Sequence, residues 1–243
     1  MMKKFKKLLN KIILSYRRHN DYIINQGQNN SVEIIATDGT VRKIKRLKGS
    51  HITFSGNDNH IKLYEPLGKL KLHIDVSNKV NIVMKGSTKR RYISIITQKP
   101  ANYDTVNNVY IGENFATTNT LNIELCNGNG NISIGDNCLM SWGILIRVGD
   151  WHTIYDIQTK KTLNPNKDVI IGNHVWCGSE SSLSKGAVIP DNCVVGAKTL
   201  VTKAFKEPNC IIVGIPAHVV KTNIGWDERS PYYSIMQENQ TNQ

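Results

Sequence analysis

Apolar residues recur every six positions along the second half of this 243-residue chain. The recurrence runs over two registers, which hold Ile134, Met140 and Ile146, then Ile171, Cys177, Leu183, Ile189, Val195 and Val201. Glycine often follows such a residue directly, and a mostly small residue stands four positions after it. A period of six matches neither the 3.6-residue repeat of a helix nor the two-residue alternation of a flat strand. It predicts short strands that are separated by turns and stacked coil upon coil.

Each predicted coil has an inside and an outside. Three hexapeptides make one triangular turn, and strand alternation places the ladder residue and the residue four positions later inside. Cys138, Cys177 and Cys193 are therefore predicted to be small buried hydrophobes, whereas Trp176 is predicted to point outward. The five cysteines contain no CxxC pair, so neither a disulfide framework nor a cysteine zinc site is indicated.

Short alternating apolar pairs indicate further strands between residues 52 and 95. The pairs are separated by stretches that contain Gly, Asn and Asp, and they are Ile52/Phe54, Ile61/Leu63, Leu72/Ile74, Ile82/Met84 and Ile93/Ile95. This pattern predicts an all-β region without long helices. Two arrangements stay open, namely early coils of one solenoid and a separate sheet.

Five segments are predicted along the chain, and the last two are a cap over the open coil end and a frayed tail. In order, they are a basic amphipathic helix (1–20), an irregular β region or early coils (21–104), the hexapeptide β-helix with an inserted loop at 153–168 (105–207), the cap with Trp226 (208–236) and the tail (237–243).

The first segment carries an apolar stripe opposite a basic face. Phe5, Leu8, Ile12 and Tyr16 follow helical spacing, and seven Lys and Arg residues lie on the other side. Such a helix can lie on an anionic membrane or dock on a partner, and it can equally pack on its own domain or on a neighbouring subunit. No apolar run approaches the roughly 18 residues of a membrane span. The predicted location is the cytoplasm, and the alternative is a peripheral position at the inner face of the membrane.

The formal charge of +12 is unevenly distributed. Residues 1–99 hold 21 basic and 6 acidic residues, a net of +15, while residues 100–243 hold 10 and 13, a net of −3. The densest basic runs beyond the first segment, at 42–48 and 89–91, attract polyanions or form a solvated face. They lack the interleaved aromatic residues of a single-strand nucleic-acid platform. An acidic glycan or a membrane surface is therefore favoured over nucleic acid.

Several motifs together resemble one family. They are the repeats, the segment 146–156, the stretch from Asn164-Pro165 to Gly178, and the closing Gly214-Ile215-Pro216-Ala217. Over about residues 105–229 they are similar to the left-handed β-helix acyltransferases, and most of all to bacterial polysaccharide and sialic acid O-acetyltransferases. The resemblance implies a left-handed parallel β-helix, a homotrimer, acetyl-CoA as acyl donor, and active sites between neighbouring subunits.

Acetyl transfer to a sugar hydroxyl requires a base, because a neutral hydroxyl is a weak nucleophile. Histidine suits this task near neutral pH, and His152 stands where the six-residue ladder breaks. Spacing alone equally allows a structural histidine at an inward position, but the resemblance implies that His152 is the catalytic histidine. Asp150 or Asp156 could hold its imidazole in the productive tautomer, or both could be turn residues.

The outward Trp176 is either a ligand platform or a residue buried between subunits. The resemblance implies that it works beside His152 near the thioester. Gly178 could offer a backbone N–H to the tetrahedral oxyanion or admit the pantetheine arm, and a plain tight turn is its alternative.

Lys198 and Lys203 occupy predicted turns of successive coils. The resemblance places coenzyme A along this ridge, near Ala197 and Lys203, where the lysines would meet its phosphates. Each lysine could equally be a solvated turn residue, and His174 is predicted to have a neutral surface role.

The sequence thus predicts an enzyme that moves an acetyl group from acetyl-CoA to a hydroxyl of a bacterial surface carbohydrate, such as sialic acid or another capsular or lipopolysaccharide sugar. His152 would act as general base in a direct attack, without a metal or a covalent enzyme intermediate. The alternatives are N-acetylation of an amino sugar and a non-enzymatic carbohydrate-binding solenoid. A zinc enzyme on this fold is disfavoured, because histidines do not cluster around His152 and His174.

Overall fold

The computed structural model describes residues 21–97, 105–126, 128–229 and 231. Their strands form three sheets that run side by side along one stack of coils. All neighbouring strands are parallel except the pairs β2–β3 and β21–β22. The predicted all-β parallel β-helix is therefore confirmed. The predicted helix at 1–20 and the predicted tail at 237–243 lie outside the described residues.

Within each of the three sheets, neighbouring strands are hydrogen-bonded in the following order. The first sheet consists of β1 (Ile23–Asn25), β4 (His51–Phe54), β6 (Lys69–Val76), β8 (Arg90–Thr97), β11 (Thr120–Cys126), β14 (Leu145–Arg147), β17 (Ser182–Leu183) and β20 (Leu200–Val201). The second consists of β3 (Val41–Lys43), β2 (Ser31–Ile35), β5 (His60–Tyr64), β7 (Val80–Met84), β9 (Asn107–Ile111), β12 (Ile132–Ile134), β15 (Val169–Ile171) and β18 (Val188–Ile189). The third consists of β10 (Ala116–Thr117), β13 (Leu139–Met140), β16 (Trp176–Cys177), β19 (Val194–Val195), β21 (Ile211–Val213) and β22 (His218–Lys221).

Columns of apolar side chains join the early coils to the hexapeptide coils. In the first sheet, one column of paired inward residues consists of Ile23, Ile52, Ile74, Ile95, Ile123, Ile146, Leu183 and Val201. A second column in the second sheet consists of Ile34, Leu63, Met84, Ile111, Ile134, Ile171 and Ile189. Because these columns are continuous, residues 21–97 belong to the same solenoid as the later repeats.

The predicted inward positions are buried throughout. The ladder residues are at most 1% exposed, and so are the residues four positions later, from Cys138 to Thr199. All five cysteines are buried and unpaired. Burial raises the pKa of Cys126 to about 11 and that of Cys138 to about 12. These thiols therefore stay protonated near neutral pH, as expected for small core residues.

Glycine follows the ladder residues because the next coil lies directly over it. A Cβ atom at Gly135 would approach the Asn173 side-chain oxygen, and one at Gly172 would approach that of Asp191. The same oxygens accept backbone N–H bonds from the coil below, at 2.9 Å from Asp136 to Asn173 and 2.7 Å from Asn173 to Asp191. The turn between the second and third sheets is thus closed by a polar ladder that leaves no room for a side chain.

The C-terminal segment departs from the predicted cap. Strand β22 pairs antiparallel with β21 and ends the third sheet. The chain then runs back along the flank of the solenoid, where Trp226 Nε1 donates to the His174 carbonyl at 2.7 Å and Glu228 pairs with Lys89 at 2.7 Å. The expectation that Trp226 covers the open end is therefore wrong, because its indole is held against the side by stacking on His174.

Arg91 is inside the molecule and does not belong to the basic surface run predicted at 89–91. It is 0% exposed, and its guanidinium donates to the carbonyls of Lys85, Leu67, Pro66 and Ser87 at 2.7 to 3.3 Å. Burial lowers its pKa to about 10, so it remains charged near neutral pH. One buried cation therefore holds together two turns of neighbouring coils.

Replacing Arg91 with Met should destabilise the early coils. The change leaves buried carbonyls without a donor, at a cost of roughly 1–3 kcal/mol for an unsatisfied group. We expect the midpoint of urea unfolding to fall clearly for Arg91→Met and to stay within experimental scatter for the exposed neighbour in Arg90→Met. Equal midpoints for the two variants would contradict this role.

Candidate active site

The break in the six-residue ladder is a hairpin that leaves the solenoid between β14 and β15. Ile146 pairs with Leu183, 37 residues later, whereas Leu183 pairs with Val201 after only 18. The extra residues form two arms that meet at the Tyr155–Thr162 bridge, and Lys167 N closes the base on the Val148 carbonyl at 2.9 Å. The predicted insertion is therefore an ordered projection.

His152 lies at the base of this hairpin on the wall of a groove. The groove has a volume of about 460 Å³, and its wall includes Asp150, Trp151, His152, Asn164 and the 128–129 turn. His152 is exposed, so its imidazole is open to solvent and to a ligand. Spacing alone also allowed an inward structural histidine, and the structure excludes that position.

Asn164 binds three alternate residues of the opposite arm. Its Nδ2 donates to the His152 carbonyl at 2.8 Å and to Asp150 Oδ2 at 2.9 Å, and its Oδ1 accepts the Ile154 N–H at 2.7 Å. These bonds fix the backbone on both sides of His152. We name this arrangement, with Lys185, the Asn164 clamp.

Lys185 joins the clamp from the next coil. Its ammonium group contacts Asp150 Oδ2 at 2.5 Å and the Asn164 carbonyl at 3.2 Å. The hydrogen bond from Lys185, followed by the one from Asn164, lowers the pKa of Asp150. Asp150 therefore stays ionised near neutral pH, where it fixes the hairpin base to the solenoid.

Trp151 is anchored from the preceding coil. Its indole N–H donates to Glu124 Oε2 at 3.0 Å, and the same oxygen accepts two bonds from Arg147 at 2.7 and 3.1 Å. The residue directly before His152 is thus tied to β11 and β14. Sequence patterns alone do not identify Glu124, Arg147, Trp151 or Lys185 as site residues, because their contacts join residues that are far apart in the chain.

Asp156 serves the tip of the hairpin. Its Oδ1 accepts the backbone N–H of Thr159 at 2.7 Å, the hydroxyl of Thr159 at 2.8 Å and the N–H of Gln158 at 3.1 Å. The Thr159 bonds are the main cause of its lowered pKa. These contacts match the predicted alternative of a turn residue, and a role for Asp156 beside the imidazole stays a prediction.

Trp176 lies on the outer face of the third sheet, as predicted. It is 38% exposed, and its Nε1 donates to Ser141 Oγ at 3.2 Å. Its ring centre is 6.1 Å from that of Trp226, which stacks on His174 at 4.2 Å. His152 projects between the first and second sheets, so Trp176 stands on a different side of the same chain.

Several known proteins are similar to this chain, although no protein-family model matches it. Polysialic acid O-acetyltransferase from Neisseria meningitidis is 35% identical over 112 residues, which are 46% of this chain and 52% of the relative. The enzyme of the same name from Escherichia coli O1:K1 is 34% identical over 110 residues, which are 45% of this chain and 36% of the relative. The chain thus spans between a third and about half the length of these relatives.

A solved structure is similar to this chain over a larger share of its residues. The crystal structure of the polysialic acid O-acetyltransferase OatWY matches with a TM-score of 0.69 and 27% sequence identity. The match covers 90% of this chain and 98% of the OatWY chain. This chain is similar to the hexapeptide-repeat acyltransferases. The predicted fold class of that family, the left-handed parallel β-helix, is thereby confirmed.

Within this hexapeptide-repeat chain, Gly178 has a packing role. Its N–H donates to the Val195 carbonyl at 2.7 Å, and a Cβ atom would lie 2.7 Å from the Ala197 nitrogen. The predicted role of this N–H toward an oxyanion is therefore wrong, because the next coil already uses it. Contact between Gly178 and the pantetheine arm stays a prediction.

Three of the predicted cofactor residues, Ala197, Lys198 and Lys203, lie at two corners of one coil. Ala197 and Lys198 form the turn before β20, and Lys203 lies in the turn after it. The two lysines therefore do not stand on successive coils, since the single strand β20 separates them. Lys198 is 78% exposed at 3.5 Å from Glu180, and the Lys203 ammonium is 5.4 Å from the Phe205 ring centre.

Across the described ranges, no helix is long and apolar enough to cross a membrane.

Replacing Lys185 with Gln should raise the pKa of Asp150 toward its ordinary value of about 3.9. The folded-state pKa is lowered, so the pair stabilises the protein at neutral pH and loses its effect as the pH falls through that pKa. We expect Lys185→Gln to cost about 1 kcal/mol or less at pH 7 and a smaller amount near pH 3. Carboxyl NMR titration and thermal unfolding at both pH values measure this.

Lys198→Gln is the matched control, because it removes the same charge from a highly exposed pair. An Asp150 pKa that is unchanged in Lys185→Gln would show that the clamp does not hold this carboxylate.

Proposed function

We propose that this protein transfers an acetyl group from acetyl-CoA to a hydroxyl of a bacterial surface carbohydrate. The observation that carries the proposal is the exposed His152, whose backbone is held by the Asn164 clamp on the wall of a groove. The relatives named above are polysialic acid O-acetyltransferases, which supports a carbohydrate acceptor. Sialic acid units are accordingly the first acceptor to test.

In the proposed reaction, His152 acts as general base. Its imidazole takes the proton of the acceptor hydroxyl while the oxygen attacks the thioester carbonyl carbon. The tetrahedral intermediate then breaks its carbon–sulfur bond, and the departing thiolate takes the proton from the imidazolium. The products are the acetyl ester and coenzyme A with a free thiol, so protons balance and no acyl-enzyme forms.

The clamp gives the imidazole its position in this proposal. Asn164 fixes the His152 backbone, Asp150 fixes Asn164, and Lys185 fixes both from the next coil. The backbone that carries the base is therefore fixed before the acceptor binds, and a misplacement of about 1 Å can cost about a hundredfold in rate. Asn164 and Lys185 are therefore positioning residues, and His152 is the catalytic residue.

A homotrimer completes the proposed site. Trp176, Ala197 and Lys198 are exposed on other sides of the solenoid than the His152 hairpin, whereas Lys203 is exposed at the same corner, two coils further along. A threefold arrangement would let the hairpin of one subunit face the Trp176 side of its neighbour. There Trp176 would lie beside the thioester, and the lysines would meet the phosphates of the donor.

His152→Ala should abolish most of the acetyl transfer and leave the fold intact. Loss of a general base lowers kcat by about 10² to 10⁴. Thiol release from acetyl-CoA with sialic acid oligomers measures the rate, and mass spectrometry separates ester from amide products. His60→Ala removes a histidine from the second sheet of the early coils and should keep the rate. Near-full activity in a folded, trimeric His152→Ala protein would rule out His152 as the base.

Asn164→Ala should lower kcat by roughly ten- to a hundredfold and leave the KM for acetyl-CoA nearly unchanged, because only the position of the base changes. Thr159→Ala, which removes one bond to Asp156 at the hairpin tip, should retain most of the rate. A large loss in the tip variant and none in Asn164→Ala would transfer the positioning role to Asp156.

A further inference from the structure

A second cavity lies on the early coils, where two inner strands of the first sheet begin. It has a volume of about 780 Å³, and its wall includes Lys48, Lys69, Lys71 and Tyr92 together with Leu47 and Leu67. Tyr92 comes from β8 and the two lysines at 69 and 71 from β6. The site is therefore built from two neighbouring strands and the 47–49 turn.

The cavity carries excess positive charge around one aromatic ring. The Lys71 ammonium is 5.0 Å and the Arg90 guanidinium 5.7 Å from the Tyr92 ring centre. Asp21 is the acidic residue on the wall, and its Oδ1 accepts the Gly49 N–H at 2.6 Å. Among the ion pairs of the described residues, none includes Lys48, Lys69 or Lys71. These ammonium groups can bind an anionic ligand without breaking an existing pair.

The wall favours a carboxylate-bearing sugar over other anions. Tyr92, Leu47 and Leu67 offer an apolar surface on which the face of a sugar ring can pack, while the lysines can pair with a carboxylate. A single ring does not provide the series of aromatic platforms that successive bases need. A concave cavity also differs from the flat basic face that binds a membrane surface.

The cavity shares its sheet with the His152 hairpin. Strand β8 pairs with β11, and β11 pairs with β14, from which the hairpin leaves. At about 4.8 Å between strands, β8 and β14 are roughly 10 Å apart across the sheet, and the level of Tyr92 lies four residues, or about 13 Å, before that of Arg147 along the strands. A glycan that lies along the outer face of this sheet can therefore contact both places.

We propose that this cavity is a second acceptor site, which binds a carboxylate-bearing sugar unit of the same glycan chain that His152 acetylates. This inference rests on the proposed function and deepens it by naming the acceptor class. The site retains a polymer near the groove, so it raises the effective concentration of further hydroxyls there. A single sugar gains nothing from it.

Calorimetry without acetyl-CoA tests the site directly, using sialic acid oligomers of defined length and the same oligomers with reduced carboxyl groups. For Lys69→Ala/Lys71→Ala we expect the Kd of the long oligomer to rise about tenfold, because two surface ion pairs are lost. Lys43→Ala/Lys62→Ala removes the same charge from the second sheet and should leave the Kd nearly unchanged. Tyr92→Leu should also weaken binding, and higher salt should reduce it in the unmodified protein.

Kinetics separate this inference from the proposed function. In Lys69→Ala/Lys71→Ala, the KM for the long oligomer should rise and that for a single sialic acid should not change. Equal weakening in the two double variants, or equal binding of carboxyl-reduced oligomers, would overturn the inference. So would lysine-dependent binding only to phosphatidylglycerol vesicles or single-stranded DNA. Lysine-dependent oligomer binding without any acetylated product would overturn the proposed function and leave the glycan site in place.

Discussion

The structure depends on the stacking of equivalent inward residues at the spacing of parallel strands. Each column repeats an aliphatic or small side chain from coil to coil, as in the pairs Ile95–Ile123 and Ile123–Ile146. The coils can approach to this spacing at the corners only where the chain lacks a side chain, which is the reason for Gly135 and Gly172. Every coil must therefore keep the same inner outline, and any additional residues must leave at a turn.

The insertion that carries His152 meets this constraint. It leaves after Ile146 and returns before Ile171, so both columns continue without a gap. It is then tied to the frame from two directions, by Glu124 of the preceding coil and by Lys185 of the next. The rigid coils thus determine the position of a polar loop, which a loop of this length would not keep by itself.

The repeated parts of the molecule could be predicted from the sequence, and the parts that depend on distant contacts could not. The six-residue period identified the buried ladder, the core cysteines and the outward Trp176, because each follows from strand alternation. It did not identify Arg91 as buried, since its partners are carbonyls of two other turns. The same holds for Lys185, whose partner Asp150 lies 35 residues away. At Gly178, a packing requirement and a catalytic role both predict a glycine, so the sequence alone could not distinguish between them.

The positive charge of the early coils is separated from the proposed base, and this separation has a chemical advantage. Residues 21–97 contain 13 basic and 6 acidic residues, which favours an acidic glycan. Cations beside an imidazole would disfavour its protonated form and weaken it as a base. The cavity strands lie roughly 10 Å or more from β14, beyond a screening length of about 8 Å. The nearby Lys185 is neutralised by Asp150. The protein can therefore attract an anionic polymer along the first sheet through cations that lie away from the His152 hairpin.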